Sequence, residues 1–314
     1  MLRYLVRRLL YAIPILLAVF TLVFLGVRII PGDPAEAALG DYASQEAVEA
    51  LRERMGLNEP IYVQYFKFLG DLLRGDFGES LINGMSISDQ IAHVLPYTLQ
   101  LTIASVLVGV ILGVPLGILT ALNRNNPVDY VGRVISLLGL SVPAFYFGIL
   151  LMLLFAVELG VLPAVGGGDI REDPIGSLKY LVLPALTLGL IMTASVTRLA
   201  RSAMLNVLSE DYVRTARSKG LRERVVVTKH AFRAALLPIV SITGFWVAVL
   251  IGDSVLTEVV FSRPGLGKML VGAINQRDYT ALQSVIVVYA AFVVVVNLIT
   301  DLAYGFLDPR ITHR

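Results

Sequence analysis

The run VLPYTLQLTIASVLVGVILGVPLGILTALN, residues 94–123, contains no charged side chain. About 20 mainly apolar residues are enough for a helix to cross the hydrocarbon core of a bilayer. The run therefore predicts one membrane-spanning helix, near Tyr97 to Leu122. Pro96 and Pro115 are tolerable in it if neighbouring helices satisfy the freed backbone groups.

Five further uncharged runs are at least 18 residues long, and the composition is 56% hydrophobic and 16% charged. These features place the chain in the membrane class and predict an all-α, polytopic protein with six transmembrane helices. The other five runs are Leu9 to Val27, Val134 to Val157, Tyr180 to Thr197, Ala234 to Gly252 and Tyr279 to Thr300.

The first run has a second interpretation as a signal peptide. Arg3, Arg7 and Arg8 form a basic front, and Ala35-Glu36-Ala37 resembles a cleavage site. The apolar core is longer than the usual 7 to 15 residues, and Arg28 with Pro31 separates it from that site, which favours an uncleaved helix.

The distribution of Lys and Arg predicts the orientation. If both termini are cytoplasmic, the inner segments hold sixteen of these residues and the longer outer segments hold nine. Basic residues concentrate on the cytoplasmic side of membrane proteins. We therefore expect cytoplasmic termini and a cytoplasmic segment 201–233.

The predicted outer loop, residues 31–96, carries eleven acidic and four basic side chains. Its apolar residues, among them Leu51, Met55, Tyr65 and Leu69, recur at helical spacings. This pattern predicts a folded cap of short helices, and a solvated spacer is the weaker alternative.

The chain is expected to divide into four parts. They are residues 1–30 with the first span, the outer loop 31–96, residues 97–308 with the remaining spans, and a tail at 309–314.

Segment 209–233 is the most charged part of the chain, with ten ionised residues among twenty-five. Ser209 is a candidate N-cap, Glu210 and Asp211 suit a first turn, and Arg217, Lys219 and Gly220 suit a helix end. Tyr212 and Ala216 should share an apolar face. These signals favour a rigid helix that docks on another protein over a loop whose charges only set the topology.

One stretch resembles the cytoplasmic coupling segment of ATP-binding-cassette (ABC) importer permeases of the dipeptide, oligopeptide and nickel family. It is Asp211-Tyr212-Val213-Arg214-Thr215-Ala216-Arg217-Ser218-Lys219-Gly220. Glutathione permeases are similar to this family. Several other motifs are similar to that family across essentially the whole length. They are Ile30-Pro31-Gly32-Asp33-Pro34, Arg74-Gly75-Asp76-Phe77-Gly78, Phe261-Ser262-Arg263-Pro264-Gly265-Leu266-Gly267, Arg277-Asp278-Tyr279 and Asp308-Pro309-Arg310.

The resemblance implies a type I importer permease in a bacterial or archaeal cytoplasmic membrane. It implies two ATPase subunits that bind ATP and Mg²⁺, an outside substrate-binding protein and a second homologous permease, with a heterodimer expected. The residues implied to couple to the ATPase are Glu210, Asp211, Tyr212, Arg214, Thr215, Ala216, Arg217, Lys219 and Gly220.

Two positions depart from the general permease pattern. Arg214 stands where an acid is expected six residues before the glycine, and Leu237-Pro238 lies farther from Gly220 than the broad family allows. Both departures resemble the peptide subfamily. A salt bridge from that acid to the ATPase is therefore not expected.

The sequence carries no catalytic motif. Gly265-Leu266-Gly267-Lys268 fails the Walker pattern, because Ser262 replaces a required Gly and Met269 replaces the Ser or Thr that binds Mg²⁺. The absence of cysteine and the separation of His93, His230 and His313 argue against a metal site or nucleophilic triad. A net charge of +2 gives no reason to expect a nucleic-acid partner.

An ion-coupled secondary transporter is the alternative function. Such carriers usually place an ionisable residue inside the membrane, and the six runs contain none. ATP-driven import is therefore preferred.

Hydroxyl-bearing residues in the spans are candidates for lining the substrate path, although packing or hydrogen bonding between helices is the commoner role. We also expect Pro143 to bend the third span. The path candidates are Thr98, Thr102, Ser141, Thr187, Thr193, Ser195, Ser241 and Thr243.

Overall fold

A computed structural model describes residues 2–29, 33–40, 43–168 and 173–307. Within these ranges the chain forms α-helices, two π-helical segments and a single isolated bridge between Glu79 and Ser86. The helices are α1 (Leu2–Ile29), α2 (Pro34–Leu39), α3 (Gln45–Arg54), α4 (Ile61–Leu73), α5 (Ile87–Leu122), α6 (Pro127–Ser141), α7 (Ala144–Met152), α8 (Pro174–Leu208), α9 (Asp211–Ser218), α10 (Glu223–Val225), α11 (Phe232–Val260), α12 (Leu266–Asn275) and α13 (Tyr279–Leu307). The π-helical segments are Leu153–Glu158 and Val226–Ala231.

Five described helices are long and apolar enough to cross a membrane: those containing Val6–Ile29, Ile87–Leu122, Pro174–Leu208, Glu223–Val260 and Tyr279–Ala303. A sixth span arises if α6 and the helix that follows it count as one bent element. The predicted all-α, multi-pass class is confirmed. The second span begins at Ile87, earlier than the expected start near Tyr97.

The third predicted span is broken at Pro143, as expected. Helix α6 ends at Ser141, α7 begins at Ala144, and the two halves are bent by 101°. Proline has no backbone N–H, and it forces the residue before it out of the helical region. Val142 accordingly adopts extended angles, with φ −98° and ψ 127°.

The chain divides into two compact units. The first contains the described residues of 1–8, 99–263 and 295–314, and α8 forms its centre. The side chains of Leu188, Met192, Val196 and Met204 on α8 are fully buried in the apolar core of this unit.

A stripe of glycines on α5 allows α8 to approach closely. Gly109, Gly113 and Gly117 recur every four residues and face Met192, Val196 and Ala200 of α8 respectively. A Cβ atom on Gly117 would lie 2.6 Å from the Ala200 Cβ and 2.8 Å from the Thr197 carbonyl oxygen. Thr197 Oγ1 also donates to the Gly113 carbonyl at 3.2 Å. Small residues at such spacing let helix backbones pack closely where no hydrophobic effect drives association.

The second unit contains residues 9–98 and 264–294. Helix α4 packs on α1 through an aromatic cluster of Phe20, Phe24, Tyr65 and Phe68, in which Phe20 and Phe24 are 2% and 1% exposed. The Arg28 guanidinium also donates to Gln64 Oε1 at 2.7 Å. The prediction of short helices between the first two spans is therefore confirmed.

Two of the motifs noted in the sequence, residues 74–78 and 277–279, lie in segments that contact each other in this second unit. Ser80 Oγ donates to Asp278 Oδ2 at 2.5 Å, and Ser284 Oγ donates to the Phe77 carbonyl at 3.0 Å. The Asp278 carboxylate also accepts from the Ala281 N–H at the start of α13. The segment after α4 is thereby fixed to the first turn of α13. Residues 30–32 of the motif at 30–34, and the whole motif at 308–310, lie outside the described residues.

We predict that Gly117→Ala destabilises the protein by about 1–3 kcal/mol, because the added methyl group meets helix α8 at less than van der Waals distance. Gly252→Ala is the matched control, since nothing lies within 4 Å of the atom it adds. At that position we expect no loss, and a gain of up to about 1 kcal/mol from helix propensity. Thermal unfolding of the two purified variants in detergent measures the difference, and equal unfolding temperatures would contradict the close approach.

Candidate functional site

The predicted polar helix is present as α9, and two residues separate its start from the end of α8. The expectation that Ser209 caps it is wrong. Ser209 follows the last residue of α8, and its hydroxyl donates to the Asn206 carbonyl at 2.7 Å. Because α8 continues to Leu208, Ser209 belongs to the turn that closes α8, and Glu210 occupies the N-cap position without a side-chain cap bond.

The end of α9 is closed by a Schellman motif. The Gly220 N–H donates to the Arg217 carbonyl at 2.9 Å, and the Leu221 N–H donates to the Ala216 carbonyl at 3.4 Å. This pattern requires a left-handed residue just beyond the C-cap Lys219, and Gly220 has φ +75°. The sequence therefore identified the residue that ends the helix.

The two faces of α9 have different environments. Val213 and Ala216 are 0% and 6% exposed, and they pack with Val226, Val207 and Leu208 in a small apolar cluster. The other predicted coupling residues are exposed. They are Glu210, Asp211, Tyr212, Arg214, Thr215, Arg217, Lys219 and Gly220. The cluster attaches α9 to the last turn of α8.

The spacing predicted that Tyr212 and Ala216 share an apolar face. In the structure Ala216 is buried, but Tyr212 is 46% exposed. Partial burial, followed by the charge of Glu210, raises the pKa of the Tyr212 phenol.

The two arginines of α9 differ in their partners. Arg217 makes a two-bond contact with the Glu223 carboxylate, at 2.7 and 3.2 Å, which ties the helix to the start of α10. This hydrogen bonding raises the pKa of the Arg217 guanidinium. Arg214 makes only a 3.4 Å contact with Asp211 one turn earlier, and its side chain is 70% exposed. Of the two, Arg214 is the more available to another molecule.

An ion pair with a buried carboxylate joins α8, the helix that precedes α9, to α6. The sequence analysis did not predict it. Arg201 of α8 donates from Nε and Nη2 to both carboxylate oxygens of Asp129 on α6, at 2.6 and 2.8 Å. The Asp129 side chain is 0% exposed. Arg133 of α6 also approaches this carboxylate, with its Nη2 3.4 Å from Asp129 Oδ2, so two cations balance the acid.

The predicted path residues lie at different depths. Thr98, Thr102, Thr187, Thr193 and Ser195 are buried, Ser241 and Thr243 are partly buried, and Ser141 is exposed. The hydroxyls of Ser141, Thr187, Thr193, Ser241 and Thr243 each donate to the carbonyl four residues earlier in their own helix. Such bonds satisfy a hydroxyl in apolar surroundings without another helix. A role in the substrate path stays a prediction for these eight residues.

In the described part of the chain, no three His, Asp or Glu side chains are grouped as metal ligands. His93 and His230 lie in different parts of the fold, and His313 is outside the described residues.

The described fold is that of a multi-pass helical membrane protein. Its short amphipathic helix α9 is attached to the end of the long buried helix α8.

Comparison with known proteins gives the family. Residues 113–313 match the family described as "Binding-protein-dependent transport system inner membrane component", and residues 1–102 match its N-terminal component. The chain belongs to this family of transport permeases. It is the membrane permease subunit of an ATP-driven importer, which works with ATPase subunits and a substrate-binding protein.

The relatives cover the full chain. The dipeptide transport system permease protein DppB of Alkalihalophilus pseudofirmus is 40% identical over 333 residues, with 100% of both chains covered. The glutathione transport system permease protein GsiC of Escherichia coli (strain K12) is 40% identical over 314 residues, again with 100% of both chains covered. The same figures hold for GsiC of Salmonella typhimurium.

Solved structures of the MetNI methionine ABC transporter in inward-facing conformations share the fold. One has a TM-score of 0.55 at 18% sequence identity, covering 70% of this chain and 96% of the other. A second has a TM-score of 0.56, covering 69% and 96%. At this identity the likeness concerns the fold alone.

We predict that Gly220→Val lowers transport strongly while membrane insertion remains intact. A side chain in the left-handed region costs about 1–2 kcal/mol, and a β-branched one is the least tolerated. Gly220→Asn is the matched control, because Asn adopts this conformation more readily, and nothing lies within 4 Å of the added atom. Uptake assays with each variant in the assembled transporter test this. Equal uptake by both would show that the closure of α9 is not needed.

Proposed function

We propose that this permease imports short peptides or peptide-like solutes, and that α9 is the element through which an ATPase subunit drives it. The exposed face of α9, in contrast to its buried anchor, is the single observation that carries this proposal. The substrate class rests on the names of relatives that match the full chain, which are dipeptide and glutathione permeases.

The structure of α9 suits the transfer of force. It has a short apolar attachment to α8 through Val213 and Ala216, and its end is closed by Gly220. Tyr212 and Arg214 are both exposed, and because residues two apart in a helix point to different sides, a groove on an ATPase subunit that encloses α9 could contact an aromatic ring on one side and a cation on the other. A rigid docked helix moves as a body when its partner moves.

The expected cycle alternates between inward-facing and outward-facing states. Inversion of a 99:1 preference between two states requires about 5.5 kcal/mol of differential stabilisation. Closure of an ATPase dimer on two nucleotides could supply an energy of this size. ATP and Mg²⁺ belong to the ATPase subunits in this proposal, and the permease itself catalyses no reaction.

The remaining assembly follows from the same proposal. A second homologous permease completes the pathway, giving a heterodimer in the cytoplasmic membrane of a bacterium or archaeon. Both termini and α9 face the cytoplasm, in agreement with the excess of Lys and Arg on that side. The cap formed by α2, α3 and α4 faces the substrate-binding protein outside.

Reconstitution tests the proposed function. The chain is placed in vesicles with its partner permease, ATPase subunits and binding protein, and uptake of a radiolabelled dipeptide and of labelled glutathione is measured with and without internal ATP. We expect uptake of at least one solute, only with ATP. Uphill uptake by the isolated chain on an ion gradient would instead establish the secondary-transporter alternative.

We predict different outcomes for charge reversal at the two arginines of α9. Arg214→Glu should abolish uptake and reduce recovery of ATPase subunits with the permease, because its charge faces outward. Arg217→Glu should also reduce uptake, but the double variant Arg217→Glu/Glu223→Arg should recover much of it, because it restores the internal pair.

Co-purification in mild detergent and uptake in vesicles measure both effects. Normal assembly and transport by Arg214→Glu would contradict docking through this face. Lack of rescue by the double variant would instead assign Arg217 to the contact with the ATPase.

A further inference from the structure

We propose that Asp129 and Arg201 are positioning residues that transmit the movement of α9 to α6, and so to the bent α6–α7 element. The inference rests on the proposed docking of α9 and goes beyond it. It assigns a transport role to two residues distant in sequence from the coupling helix.

The geometry of the pair fixes both separation and orientation. Two guanidinium nitrogens of Arg201 bind the two carboxylate oxygens of Asp129, at 2.6 and 2.8 Å. A planar, two-bond contact resists rotation as well as stretching, whereas a single ammonium contact allows rotation. The carboxylate is fully buried, so water does not compete for it. Helices α6 and α8 therefore move together at this point.

The Arg201 side of the pair lies close to the attachment of α9. Arg201 precedes Leu208 by about two helical turns on the same helix. Val207 and Leu208 pack against Val213 of α9. A force on α9 thus reaches Arg201 through a few apolar contacts and two turns of hydrogen-bonded backbone.

The Asp129 carboxylate is also bonded to the turn that precedes α6. Asp129 lies in the first turn of α6, and its Oδ2 also accepts from the Asn125 N–H at 3.0 Å. Asn125 has φ +63°, an uncommon conformation for a residue other than glycine, and this bond helps to hold it. One carboxylate therefore joins the α5–α6 turn, the start of α6 and the end of α8. From there α6 runs to the 101° bend at Pro143.

A purely stabilising role is the competing explanation, and substitution of Arg201 by lysine separates the two. Arg201→Lys keeps a positive charge beside Asp129 but cannot form both bonds. Arg133, whose Nη2 lies 3.4 Å from Asp129 Oδ2, also remains to balance the carboxylate. The variant is thus expected to fold while its α6 and α8 lose their fixed orientation.

The experiment compares Arg201→Lys with Arg198→Lys in the assembled transporter. Arg198 lies one turn earlier on α8, is exposed and serves as the matched control. Vesicles contain the permease, its partner permease, ATPase subunits and binding protein, and the probe is whichever of labelled dipeptide or glutathione the wild type takes up. ATP hydrolysis and uptake are measured on the same vesicles, together with the amount of assembled complex.

For Arg201→Lys we expect binding-protein-stimulated hydrolysis within about twofold of wild type, with solute moved per ATP lowered about tenfold or more, the size of a typical coupling loss. Arg198→Lys should keep the wild-type ratio. Asp129→Asn, which also breaks the pair, should lower the ratio in the same way.

An unchanged ratio in Arg201→Lys would overturn the inference. So would a parallel fall of assembly, hydrolysis and uptake, which would show a stabilising role only. The proposed docking of α9 is judged separately, because its failure appears as lost assembly in Arg214→Glu, whatever the result at Arg201.

Discussion

The close approach of α5 and α8 is the constraint on which the first compact unit depends. In a bilayer, apolar side chains gain little by leaving lipid for another apolar surface, so helices associate through close packing and hydrogen bonds. Gly109, Gly113 and Gly117 remove the side chains that would keep the two backbones apart. Helix α8 can then lie at the centre of the unit, against α6, α7 and α11. Both α9 and the Asp129–Arg201 pair are attached to this helix.

The same helix joins the buried and the polar parts of the unit. Its middle carries fully buried Leu188, Met192 and Val196, and its last turns carry Arg201 and the apolar contacts of α9. A long helix transmits displacement along its axis because its backbone hydrogen bonds are all internal. Helix α9 can thus remain short and exposed, because its apolar attachment lies on α8.

Much of the fold followed from local chemistry. The uncharged runs identified the spanning helices, because lipid excludes charge and requires internal backbone hydrogen bonds. Pro143 marked the break in the third span, and Gly220 marked the end of α9. The assignment of Ser209 as an N-cap failed, because α8 extends farther than its uncharged core indicated. The glycine stripe of α5 and the helix that it faces were not predicted from the sequence.

The sequence by itself determined that the chain spans a membrane as helices, where those helices break, and that a polar helix lies between the fourth and fifth spans. These properties depend on hydropathy, proline and glycine, which act within a few residues. Only the tertiary structure decided that Val213 and Ala216 face inward while Tyr212 stays exposed. Only the tertiary structure showed that Asp129 pairs with Arg201, which lies 72 residues away in the chain. Periodicity shows that a face is apolar or charged, but the packing of distant helices selects its partner.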